Sequence, residues 1–107
     1  AFLQFIKFKG GHSFIMRVDE RLLKYVSYWT TSCEDSDIIP STDRQFTLAK
    51  ELEKELLDLG LQKVTLTDHG YVYGLIPATP GYEGKKAVGF ISHMDTAPDF
   101  SGENVKL

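Results

Sequence analysis

The pattern of apolar and polar residues predicts two amphipathic helices in the first half of the chain. Apolar residues recur at helical spacing from Val18 to Trp29, which indicates a first helix from residue 18 to about residue 31. A second helix is predicted to begin near Thr42, because Thr42 and Gln45 have the spacing of a capping box. Gly60 is suited to the left-handed conformation that ends a helix. The apolar stripe of this helix indicates that it covers a sheet; the stripe consists of Phe46, Ala49, Leu52, Leu56 and Leu59.

Three strands are predicted after the second helix. Residues 63–67 and 71–76 read as a hairpin around the turn signal Asp68-His69-Gly70. After a surface loop over residues 77–86, residues 87–91 form an apolar run typical of a central strand that is covered on both faces. The order helix, helix, strand, strand, strand predicts the opening portion of an α/β layered fold.

A histidine and a carboxylate follow the predicted central strand. His93 and Asp95 are two residues apart, so their side chains leave an extended chain in the same direction. Ligands of open α/β sheets bind beyond the carboxyl ends of such strands. A lone histidine at a strand end is more often structural than a ligand, but metal-bound imidazoles commonly donate their second N–H to a carboxylate. If a metal binds here, imidazole favours zinc over magnesium or calcium.

Composition narrows the class of protein. The 107 residues are enough for one small domain, and 42% hydrophobic with 25% charged residues is typical of a globular protein. A net charge of −3 argues against a nucleic-acid-binding surface. No stretch approaches the roughly 20 apolar residues of a membrane span. Cys33 is the single cysteine, so an internal disulfide is impossible and a reducing cytoplasm fits.

The run GFISHMDTAPDFSG resembles the strand-and-loop motif of peptidase T, the tripeptide aminopeptidases among the dizinc exopeptidases. The segments PSTDRQF and SGENVK are similar to the same family, and the resemblance covers roughly residues 17–107. It implies a zinc-exopeptidase-like α/β fold in which His93 binds one of two zinc ions and Asp95 is the catalytic-site aspartate that supports this histidine. It also implies release of the amino-terminal residue from tripeptides, a cytoplasmic location and a homodimer formed through a separate domain.

The resemblance also implies that the remaining metal ligands and the glutamate general base lie beyond Leu107. We therefore expect residues 16–107 to be an incomplete, amino-terminal portion of a catalytic domain that is inactive alone and binds zinc weakly. Residues 1–15 differ from the rest, with no acidic residue, and we expect them to be a leader outside the native coding sequence, with Met16 as the true start. Because His12 lies within this leader, we do not count it among the candidate metal ligands.

Two alternatives stay open at this point. A related dizinc deacylase or dipeptidase would carry a similar motif, and a short non-catalytic α/β interaction module would retain it as a relic. We expect His69 to be an exposed turn residue rather than a ligand. Tyr71, Tyr73 and Phe100 either line a substrate cleft or, as we expect, serve in packing.

Overall fold

A computed structural model describes residues 16–106, so the predicted leader over residues 1–15, including His12, lies outside the described part. The elements are α1 (Val18–Val26), α2 (Gln45–Asp58), β1 (Gln62–Leu66) and β2 (Val72–Leu75). This mixed composition confirms the α/β class. Within the described range, neither helix is long and apolar enough to cross a membrane.

Helix α1 is shorter than the pattern predicts. Its first turn is closed by the backbone N–H of Arg17, which donates to a Glu20 carboxylate oxygen at 2.8 Å. The helix ends at Val26, where the Ser27 N–H and hydroxyl both turn back to the Lys24 carbonyl. The prediction that it extends to about residue 31 is therefore wrong, and Trp29 lies outside the helix.

Helix α2 begins at Gln45, two residues later than a helix with Thr42 as its N-cap would begin. The Thr42 hydroxyl does not cap the helix backbone; it donates to the Thr31 carbonyl at 2.9 Å and accepts from the Gln45 side-chain amide at 3.1 Å. The Thr42 oxygen thus accepts from the Gln45 side chain instead of from a backbone N–H of the helix. At the other end, Gly60 adopts φ = 79°, which confirms its role in ending the helix.

Charged and phenolic groups join α1 to α2. The Lys24 ammonium donates to Glu55 at 3.1 Å and also bonds Glu51, while the Tyr25 hydroxyl donates to Glu55. The hydrogen bond to Glu51 is the largest of the effects that raise the pKa of Lys24. Burial, followed by the bond to Glu55, raises the pKa of Tyr25 to about 12. Burial opposes ionisation of Glu55, but the bonds from Tyr25 and Lys24 outweigh it and lower its pKa.

The hairpin forms as predicted, with β1 antiparallel to β2. The Gly70 N–H donates to the Thr67 carbonyl at 3.0 Å, and Gly70 has φ = 78°, so the turn needs a residue without a Cβ. The hairpin packs on the C-terminal end of α2: a Cβ added at Gly74 would lie 2.8 Å from Leu61 Cδ2 and 3.2 Å from Leu56 Cδ1. This close approach explains a glycine in the middle of a strand.

The predicted central strand over residues 87–91 does not form. Phe90 and Ile91 are 96% and 100% exposed, and the described residues offer this segment no backbone hydrogen-bond partner. A strand is stable only when a neighbour pairs with its N–H and C=O groups, and the one sheet of the described range is the two-stranded hairpin. The prediction of a central strand over residues 87–91 is therefore wrong for the described range, because residues 16–106 supply no adjacent strand.

Candidate functional site

His93 and Asp95 meet as their spacing predicts. Nδ1 of His93 lies 3.1 Å from Oδ1 of Asp95. The histidine side chain is 83% exposed and the aspartate side chain 38% exposed. An ionised carboxylate only accepts hydrogen bonds, so the proton between the two groups belongs on Nδ1. Nε2 is then left as an exposed lone-pair donor, the form in which imidazole binds a metal ion.

The backbone immediately after Asp95 is fixed by the segment between α1 and α2. Thr96 pairs with Thr31 in a parallel bridge. Its N–H donates to the Thr30 carbonyl at 3.3 Å, and its carbonyl accepts from the Ser32 N–H at 3.0 Å. These bonds anchor one end of the His93–Asp95 segment, so the two side chains project from a held backbone rather than from a free loop.

The loop that follows is held by side chains from the same segment. Trp29 Nε1 donates to the Ser101 carbonyl at 2.9 Å, and the Thr31 hydroxyl donates to the same oxygen. The Arg44 guanidinium lies 4.0 Å from the centre of the Trp29 ring, a cation–π contact that orients the indole. Gly102, with φ = 63°, allows the chain to pass close to Thr31; a Cβ there would lie 3.1 Å from the Thr31 hydroxyl oxygen.

Two clefts adjoin the His93–Asp95 segment. The first, of about 550 Å³, lies between β2 and residues 90–95 and is also lined by the hairpin turn and Pro40. The second, of about 720 Å³, is bounded by α1 and α2. Val72 and residues 92–95 line both clefts.

Of the remaining candidate residues, three line the first cleft and one does not. His69 is exposed in the hairpin turn, as expected, and lines this cleft together with His93. Tyr71 and Tyr73 also line it, with their ring centres 6.4 Å apart. Phe100 is exposed and lines neither cleft.

His93 fits the role of a single metal ligand. Its side chain is 83% exposed and Asp95 lies 3.1 Å from Nδ1, an arrangement that metal-bound imidazoles commonly have. A catalytic zinc needs three protein ligands and an open position. Among residues 16–106, no three histidine, cysteine, aspartate or glutamate side chains come together in a way that could hold a metal ion.

Sequence reasoning missed the residues that hold the site. Thr30, Thr31, Trp29 and Ser101 act through contacts between positions about 65 to 72 residues apart along the chain. No local spacing encodes such contacts. The only signal was the polar run Thr30-Thr31-Ser32 directly after the apolar stripe of α1.

Comparison with known proteins identifies the family. No family model matches the chain. It is 52% identical over 88 residues to peptidase T of Clostridium acetobutylicum, covering 82% of this chain and 21% of that protein. It is 53% identical over 89 residues to peptidase T of Desulfitobacterium hafniense and 50% identical over 86 residues to that of Shewanella halifaxensis, covering 83% and 80% of this chain and 21% of each relative.

The fold and the His93–Asp95 pair define an α/β segment that presents one candidate metal ligand. The chain belongs to the peptidase T family. It spans about a fifth of the length of the curated relatives that it matches.

Proposed function

We propose that this chain carries the His93–Asp95 part of the active site of a zinc-dependent aminopeptidase that releases the amino-terminal residue from tripeptides. Membership of the peptidase T family supports a peptidase activity. The observation that carries the proposal is the 3.1 Å contact between His93 Nδ1 and the Asp95 carboxylate beside an exposed imidazole.

In this proposal the complete site would hold two zinc ions, and His93 would hold one of them through Nε2. Zinc, when bound, polarises the scissile carbonyl and lowers the pKa of a water nucleophile. Asp95 keeps the proton on Nδ1 and fixes the plane of the ring, so that Nε2 is presented with its lone pair free. The other ligands are assigned to the part of a peptidase T chain that this sequence does not match, because residues 16–106 contain no ligand group of three.

The anchoring of Thr96 and Ser101 has a catalytic consequence in this proposal. A metal ligand must be held within about 0.5 Å of its working position. The bonds from Ser32, Thr31 and Trp29 hold the backbone on the C-terminal side of Asp95. They limit the positions that the His93 ring can take before a metal ion binds.

A chimeric protein tests the proposal. In it, the matching residues of this chain replace the 88 residues that they match in Clostridium acetobutylicum peptidase T. We expect hydrolysis of tripeptides in preference to dipeptides and N-acyl amino acids. Asp95→Asn should lower kcat/KM about 10- to 100-fold, the usual effect of losing a carboxylate that orients a metal-bound histidine.

The control is Asp58→Asn, which removes an exposed carboxylate at the end of α2, away from both clefts. It should leave kcat/KM unchanged. Preference for N-acyl amino acids or dipeptides would replace the proposed substrate class with that of a related deacylase or dipeptidase. Equal activity of the Asp95→Asn and Asp58→Asn proteins would contradict the role of Asp95.

A further inference from the structure

Arg44 stands where a cation is unfavourable for its own helix. It is the N-cap residue of α2, and the partial positive charge of a helix N-terminus repels a cation there. Among residues 16–106, no carboxylate lies within ion-pair distance of its guanidinium. Neither helix formation nor an ion pair therefore accounts for a half-buried arginine at this position.

The guanidinium makes two contacts with the segment between α1 and α2. Its Nε donates to the Thr31 carbonyl at 2.9 Å. Its Cζ lies 4.0 Å from the centre of the Trp29 ring. A planar guanidinium can stack on an indole and donate from its edge at the same time, whereas an ammonium concentrates its charge and its donors on one atom. The two contacts together therefore require an arginine and not only a positive charge.

The contact with Thr31 supports the bridge to Thr96 from its opposite edge. On one edge of residues 30–32, backbone hydrogen bonds of 3.0 and 3.3 Å join this segment to Thr96. On the other edge, the Thr31 carbonyl accepts from Arg44 and from the Thr42 hydroxyl, each at 2.9 Å. Both lone pairs of this carbonyl are thus used, as its burial demands. The start of α2 therefore holds the segment that anchors the backbone after the candidate site.

The contact with Trp29 supports a second attachment of the same loop. The indole N–H donates to the Ser101 carbonyl at 2.9 Å, and the guanidinium above the ring restricts the plane of the indole. The chain after His93 and Asp95 is thus attached at two points, residues 96 and 101. Arg44 contacts a group that makes each attachment.

We propose that Arg44 is a positioning residue for His93 and Asp95. It acts through Thr31 and Trp29, which hold the backbone on the C-terminal side of the pair. Its loss lets this backbone shift by more than the roughly 0.5 Å that a metal ligand tolerates. The inference rests on the proposed function, because it gives that site a support at the N-terminus of α2.

Hydrogen exchange in the 107-residue chain tests whether Arg44 holds the bridge. In Arg44→Gln, the amides of Ser32 and Thr96 should exchange about tenfold faster, because these amides join the two segments. Amides of the hairpin and of residues 49–58 should be unchanged, which shows that the fold is intact. Lys54→Gln removes an exposed cation from the same helix and is the matched control; it should alter none of these rates.

The emission of Trp29 gives a second readout in the same chain. Trp29 is its single tryptophan, so the signal has one source. We expect the emission of Arg44→Gln to shift to longer wavelength, because the indole loses the guanidinium that covers it and becomes more exposed to water. The emission of Lys54→Gln should stay unchanged.

Zinc affinity and kinetics of the chimeric protein test the link to the site. In Arg44→Gln, the zinc dissociation constant should rise and kcat should fall, each about three- to tenfold, less than for a direct partner of the histidine. KM should stay unchanged, because Arg44 lines neither cleft. Arg44→Lys keeps the charge but not both contacts, so it should give intermediate values.

The outcomes separate this proposal from the proposed function. Unchanged exchange of Thr96 in Arg44→Gln would overturn the proposal. Faster exchange with the zinc affinity and kcat of Lys54→Gln would also overturn it, since Arg44 would then support the fold and not the site. Unaltered values in Arg44→Lys would contradict the two-contact role, because a charge alone would suffice. A chimeric protein that hydrolyses no tripeptides, but binds zinc more weakly in Arg44→Gln, would support the positioning role and count against the proposed function.

Discussion

At the scale of single residues, Glu55 links the two helices, because it accepts hydrogen bonds from both Tyr25 and Lys24. Its lowered pKa means that the folded chain holds the ionised carboxylate more strongly than the unfolded chain does. Its contribution to stability is therefore present above the ordinary pKa of 4.5 and is lost as the pH falls through the folded value. Tyr25, whose pKa is raised from 10 to about 12, contributes below pH 10 and loses its contribution as the pH rises toward 12.

A pH series checks this assignment. We expect the free energy of unfolding to decrease below about pH 4.5 and above about pH 10. At pH 7, Glu55→Gln should lower it by about 1 kcal/mol, because a charge-assisted acceptor is lost in a half-buried setting. The acid-side decrease should also become shallower. Glu53→Gln, on the same helix, is the matched control; identical acid profiles for the two variants would refute the role of Glu55.

At the residue scale, the contact between His93 and Asp95 was predictable from the sequence. The contacts that hold the neighbouring backbone were not. The two-residue spacing of His93 and Asp95 is a local property of an extended chain, so the sequence alone predicts that the side chains meet. Trp29 was predicted to lie on the face of α1. The helix ends before Trp29. The indole N–H instead donates to the Ser101 carbonyl, and the Arg44 guanidinium lies over the indole ring. Contacts of that kind depend on the assembled fold.

At the scale of elements, local signals predicted the second half of α2 and the hairpin well. Gly60 and Gly70 occupy left-handed positions that few other residues tolerate, so they mark the helix end and the turn directly. The start of α2 was predicted wrongly: the Thr42 hydroxyl donates to the Thr31 carbonyl, and its oxygen accepts from the Gln45 side-chain amide instead of from a helix N–H. The sequence pattern alone does not reveal which of these partners the folded chain brings to a side chain.

The packing of the hairpin on α2 makes a prediction at this scale. Gly74→Ala places a methyl group against Leu61 and Leu56, and the free energy of unfolding should fall by about 1 kcal/mol because Leu61 has to move. Gly84→Ala is the matched control, since a Cβ there meets nothing within 4 Å. Urea denaturation followed by far-UV circular dichroism measures both. Equal stability of the two variants would show that β2 does not approach α2 as described.

At the scale of the whole molecule, the α/β class was predictable but the extent of the sheet was not. The run over residues 87–91 has the composition of a central strand, and composition is a property of the segment alone. Strand formation also depends on neighbours, and the described residues provide none beside it. The zinc ions, the tripeptide substrates, the cytoplasmic location and the homodimer stay predictions that derive from the family resemblance.

The zinc content of the chimeric protein, measured by metal analysis after dialysis, tests whether His93 is a metal ligand. We expect two tightly bound zinc ions per chain, a loss of zinc in His93→Ala, and full retention in the Asp58→Asn control. We also expect no tight stoichiometric zinc binding by the 107-residue chain alone, since its described residues supply no complete ligand set. Two zinc ions retained at unchanged affinity in His93→Ala would contradict the assignment of His93 as a metal ligand.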